Sequence, residues 1–257
     1  MLARLIKNEL LKIALNKKLY VFMVVMALFT FLPAFEKLIG QVPFDLTGQN
    51  LPMYMLTTHV MILLPLFAII IITDMITDEY VSGTLKLSLL HPVSRASLLT
   101  AKIISLFISL LFLLLYAAFF AYLLGSIIWG FGDSLVFDGV EYATLDGIIK
   151  TVGSYIVSAF PLTAFGTFIM LAALLLSSNG GALGVSVGFL IFLNLAGELF
   201  PFLRPYLLVD YFRGLAKYLF FTEEYNQAVI GIFIIVIYGI ATYIISLIYF
   251  KKKDLLY

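Results

Sequence analysis

Few residues in this chain have the means to do bond-making chemistry. The two histidines, His59 and His91, stand apart, and neither belongs to an H-E-x-x-H pair. There is no cysteine, so disulfides, thiolate metal sites and a cysteine nucleophile are excluded. No G-x-x-x-x-G-K-[ST] loop is present to cradle phosphates. Glu223-Glu224 lacks nearby partners for intramembrane hydrolysis. No catalytic, cofactor-binding or metal-binding residues are therefore assigned, and an enzyme is the disfavoured class. The densest polar stretch is Thr73–Lys102, TDMITDEYVSGTLKLSLLHPVSRASLLTAK, set between two long apolar segments. Asp74, Asp78 and Glu79 open it. Ser82-Gly83 breaks the preceding helix. Thr84 is placed to cap a new short helix, Leu85–His91, and Pro92 ends it. Ser94 caps the next segment, with Arg95 and Lys102 expected at the headgroup level. Leu85, Leu87, Leu89 and Leu90 form an apolar peg with no partner in so short a loop. Two readings stand: docking into a groove on another protein, or a helix lying on the membrane surface.

The elements that hold this stretch are membrane helices. The chain of 257 residues is 63% hydrophobic and 12% charged, about half the charge of a soluble domain. Its mean hydropathy is +1.09. A net charge of +1 gives no bulk attraction to nucleic acid. A bilayer core needs about 20 helical residues to cross it. Six spans are predicted at Leu19–Ile39, Met53–Thr73, Ile103–Ile128, Ile148–Leu176, Ala182–Phe200 and Ala228–Phe250. The charge-free run Thr151–Gly197 would be about 70 Å long as one helix, so it must turn, and Ser177–Gly181 supplies the break. Bends are expected at Pro33, Pro65 and Pro161. The fold class is thus all-α and polytopic: an amphipathic interface helix (residues 1–18), then a six-span domain (residues 19–257). That domain holds a connecting segment (74–97), an acidic loop (130–147) with a hairpin around FDGVEY, and a mixed segment (200–227) of short helices dipping into the outer leaflet.

Lys and Arg near the span ends place the N-terminal segment, the Thr73–Lys102 connection and Lys251–Lys253 on one side. An even number of spans satisfies this, with both termini cytoplasmic in a multi-pass cell-membrane protein. No cleavable signal is evident. In the interface helix Glu9 projects into the apolar arc beside Leu2, Leu5, Ile6, Leu10 and Ile13. A protein neighbour or a snorkelling side chain accounts for it equally well. His59 reads more readily as a packed imidazole than as a functional group. The row Gly180, Gly184, Gly188 allows close helix packing, and packing within one subunit is favoured over a dimer contact. Met23, Met26, Phe22, Phe29, Phe107, Phe112, Phe119 and Phe120 offer an apolar wall, although most should face lipid.

The pattern from Asp74 to Lys102, acidic-x-x-x-G-T-L followed by P-V-S-R and an apolar span, resembles the permease subunits of type-2 ABC transporters. The resemblance extends to the NEL-x-K run at Asn8–Lys12 and to the six-span plan. It implies that the connection is a coupling helix entering a cleft of a separate ATPase chain, and that the N-terminal helix also touches that ATPase through Glu9 and Lys12. Glu79, Gly83, Thr84, Leu85, Pro92 and Arg95 match the motif. ATP and Mg would then be bound by the partner, with none in this chain. Two permease chains, identical or different, would join two ATPase chains. Within the family, peptide exporters and antibiotic-resistance permeases fit best, with a hydrophobic, amphipathic or lipid-like cargo. A non-transporting sensor or scaffold that binds an ATPase is the alternative. A secondary transporter is disfavoured, because Glu36 and Glu198 both lie near outer ends and no carboxylates pair within a span.

Overall fold

Packing divides the spans into an inner pair and a rim. The computed structural model describes residues 2–39, 46–84, 93–176, 178–222 and 224–253, without the side chains of Lys37 and Leu38. Among the described residues six helices are long and apolar enough to cross a membrane: Lys17–Glu36, Asn50–Val81, Arg95–Trp129, Thr144–Leu176, Asn179–Leu199 and Tyr225–Lys252. In the second and fourth, 72% and 67% of the apolar window is buried within the chain. In the first, fifth and sixth the shares are 22%, 28% and 17%. The inner pair therefore forms most of the core, the third span is intermediate at 44%, and apolar side chains such as Phe119 of the third span and Phe233 and Ile237 of the sixth face outward. An apolar exterior of this extent needs lipid to cover it.

The all-α expectation holds, and the protein is a multi-pass membrane protein. Local sequence explains the breaks. The interface helix spans Leu2–Leu15, and Asn16 caps the next helix by accepting from the Lys18 N–H at 3.0 Å. The first span pauses at Phe31, two residues before Pro33. The interruption expected at Pro65 takes the form of a π turn at His59–Leu63, closed by Leu64 N–H on the His59 carbonyl. Pro65 has no N–H to offer the preceding turn, which favours the wider register. A second π turn, Asp74–Asp78, lets the second span run on to Val81, beyond the predicted end at Thr73. The fourth helix passes through Pro161 without a break. Ser94 caps the third span, accepting from Ser97 N–H at 3.0 Å.

At one end of the bundle an antiparallel hairpin pairs Ser134–Phe137 with Val140–Ala143. Asp138 and Gly139 both have positive φ (49° and 78°), the backbone that an Asp-Gly two-residue turn supplies most readily. Asn50 Oδ1 accepts from Val136 N–H at 2.9 Å and ties the hairpin to the second span. Residues 200–222 hold two 3₁₀ turns and a short amphipathic helix, Tyr211–Phe220. Lys217 joins that helix to Asp138 at 2.6 Å. The opposite end gathers the interface helix, the start and finish of the connection, the turn between the fourth and fifth spans, and the end of the last helix.

Candidate functional site

Glu9 leaves the polar face of the interface helix because its partner lies inside the protein. Lys102 sits two turns into the third span, and its side chain is fully buried. One oxygen of Glu9 meets Lys102 Nζ at 2.8 Å and the other meets Lys12 Nζ at 2.8 Å. Glu79, at the end of the second span, repeats the arrangement, with Lys102 at 2.8 Å and Lys12 at 2.6 Å. The four groups make a closed ring of alternating sign, in which each carboxylate bridges both ammonium groups. The ring is neutral as a whole, which is how a lysine this deep in an apolar helix remains tolerable as a charge. Burial pushes the Glu9 carboxyl up, but Lys102 and Lys12 outweigh it and hold the group below its ordinary value of 4.5. Burial pushes Lys12 down, and the bonds to Glu79 and Glu9 outweigh it, leaving Lys12 above its ordinary 10.5.

Further ties surround the ring. Ser105 Oγ donates to the Ile6 carbonyl at 3.3 Å. Lys18 grips Asp74 through both carboxylate oxygens, at 2.8 and 2.7 Å. Asn179 donates to Asp78. Arg95 donates to the carbonyls of Phe250, of Lys251 at 3.1 Å and of Lys253 at 2.9 Å, and so caps the last helix from a different element. Lys253 in turn donates to the Leu174 carbonyl at 2.5 Å and lies 4.4 Å from the centre of the Tyr80 ring. The residues on either side of the connection are thus locked to every peripheral element at this end. Charges that satisfy one another in this way offer no nucleophile and no proton acceptor. What the arrangement can do is hold elements in register and pass a displacement between them.

A family model described as a protein of unknown function (DUF2705) matches residues 19–256. The chain belongs to the DUF2705 family. It is also 34% identical over 145 residues to the uncharacterised protein YhcI of Bacillus subtilis (strain 168), across 53% of this chain and 44% of YhcI. The match thus spans less than half the length of that relative. Neither description states an activity. Glu79 and Lys102 lie inside the region shared with the DUF2705 model, and Glu9 and Lys12 precede it.

For this DUF2705 member, several expectations change. Lys102 does not face solvent or headgroups as a free cation: it is enclosed within the protein, where two carboxylates compensate its charge. The neighbour of Glu9 belongs to the same chain. Arg95 faces the carbonyl end of the last helix, which needs donors. Gly180, Gly184 and Gly188 do not pack within the subunit: a Cβ on any of them meets nothing within 4 Å. Gly83 does end the second helix with a positive φ of 73°. Thr84 Oγ1 contacts the Ser82 hydroxyl at 2.9 Å and the Glu79 carbonyl at 3.4 Å. Leu85, Leu87, Leu89, Leu90 and Pro92, with the short helix expected there, lie outside the described residues. His59 is a packed imidazole, with Nδ1 3.2 Å from the Tyr155 hydroxyl, which itself donates to the Pro52 carbonyl at 2.8 Å. Phe22 and Met26 turn inward, with Phe22 stacked on Phe67 at 4.0 Å, whereas Phe112 and Phe119 are exposed.

The sequence reading missed the ring itself. Its signal was two misplaced charges of opposite sign: a glutamate in an apolar arc and a lysine within an apolar helix.

Proposed function

We propose that this DUF2705 member is the permease subunit of an ATP-driven exporter of the type-2 ABC class. In this reading both termini face the cytosol, and residues 85–92 receive force from a separate ATPase. The observation that carries the proposal is the charge ring. Glu79 just before the connection and Lys102 just after it are joined directly and through Glu9 and Lys12, so a push on the connection moves the second span, the third span and the interface helix together. The acidic-x-x-x-G-T-L and P-V-S-R pattern across the same residues supports it. Nucleotide binding by the partner would change the balance between two arrangements of the spans only by favouring one of them. A hydrophobic or amphipathic cargo suits a chain with no row of charges along its spans.

Reconstitution of the chain with its ATPase in liposomes tests this. Leu87→Asp or Gly83→Pro is expected to leave the protein inserted while abolishing cargo-dependent ATP turnover and vectorial movement. Normal transport by both variants refutes the coupling role. ATP turnover without any vectorial movement makes the chain a sensor rather than a permease.

A further inference from the structure

Two adjoining cavities open at the hairpin end, of about 610 and 720 Å³. Thr57 and Arg213 line both, so Arg213 stands at their junction. Three other cations of this region are engaged. Arg204 meets Glu198 at 3.3 Å, Lys217 meets Asp138 at 2.6 Å, and Lys150 donates to the Phe220 carbonyl at 2.7 Å. Arg213 makes no ion pair and no hydrogen bond among the described residues. Glu36 lines the larger cavity with it and is not paired to it. Among the described residues the Glu36 carboxylate accepts one hydrogen bond, from the Tyr54 hydroxyl at 2.7 Å on Oε2. Asp138 also lines this chamber but is held by Lys217, so Glu36 and Arg213 are the acid and the base there that have no ion-pair partner among the described residues. The remaining wall is mainly apolar, including Leu32, Met53 and Phe137.

We infer that the larger chamber is a binding site for a zwitterionic lipid headgroup, with a phosphate on Arg213 and a primary ammonium on Glu36. A guanidinium fork suits phosphate oxygens, and a carboxylate accepts from an ammonium that has hydrogens to give. The chamber lies at the last turns of the first span, beside the exposed rings of Phe31 and Phe35. Acyl chains can therefore remain in the bilayer while the headgroup enters. Asp210 and Glu224 also line the smaller cavity. Neither is paired with Arg213 among the described residues. The site is independent of the transport reading, since a resident lipid and a carried one would bind alike.

The test is lipid retention by the full chain in mild detergent, followed by native mass spectrometry with phosphatidylethanolamine, phosphatidylcholine and phosphatidylglycerol of identical acyl chains. Phosphatidylethanolamine should be retained about tenfold more than either of the others. Choline has no N–H for Glu36, and glycerol has no cation. Arg213→Gln and Glu36→Gln should each remove that preference. Equal retention of the three lipids by the unchanged protein overturns the proposal, and that comparison needs no variant. A preference for phosphatidylglycerol that Glu36→Gln leaves intact also overturns it.

Discussion

Lys102 carries no solvent exposure and two carboxylates, so its removal leaves Glu9 and Glu79 facing each other with Lys12 alone between them. Breaking a buried pair from one side costs about 3–5 kcal/mol. Lys102→Met is therefore expected to lower the unfolding free energy in detergent by that order, and Lys102→Met with Glu9→Gln should recover part of the loss. A double variant no better than the single one would falsify the ring as a coupled unit. The ring also sets a pH response. The Glu9 carboxyl is depressed on folding, so its contribution is complete above the ordinary 4.5 and is lost as pH falls through the lower folded value. Lys12 is raised, so its contribution is complete below 10.5 and is lost only at still higher pH. Thermal stability should be flat between these limits and fall at the acid end. Glu9→Gln should flatten the acid limb. At this scale the sequence was half legible. Glu9 was visibly out of place on its helix, whereas Lys102 read as a surface cation because helical spacing cannot tell which face of a terminal turn a neighbouring helix covers.

Helix ends and turns were the most legible elements, because they are written in local chemistry. Asp138-Gly139, Ser94, Ser82-Gly83 and the break before Asn179 all act as their residue types require. The π turn before Pro65 and the extension of the second span through Asp74–Asp78 were not legible, since both depend on what packs alongside. Contacts between elements supply further tests. Gly125 of the third span lies so close to the chain before the second that a Cβ there would stand 2.9 Å from the Gly48 Cα. Backbone at that distance has no rotamer with which to yield. Gly125→Ala should destabilise the protein by about 1–3 kcal/mol in chemical denaturation. Arg95 is the cap of the last helix, so Arg95→Gln should quicken amide exchange at Lys251–Lys253 by about tenfold while leaving the fourth span protected. Unchanged exchange there would show that the helix end needs no help from Arg95.

The molecule has a core of two spans and a rim that lipid or another chain must cover. The row Gly180, Gly184, Gly188 faces open space, so nothing within the subunit packs on it, and in the proposed reading a second copy would. Gly184→Leu should reduce cross-linked dimer in membranes without reducing insertion, and an undiminished dimer would move the contact to another face. All-α architecture and six spans followed from length and hydropathy, while the internal order of the spans did not, because every span is apolar on all sides. The transport reading rests on what residues 85–92 touch. A photo-reactive side chain placed at Leu87 in native membranes measures this directly. The account predicts capture of a soluble protein that carries a phosphate loop and hydrolyses ATP, with capture lost when Gly83 is replaced by Pro. Capture of lipid alone, or labelling of position 87 by an impermeant reagent applied outside intact cells, would contradict it.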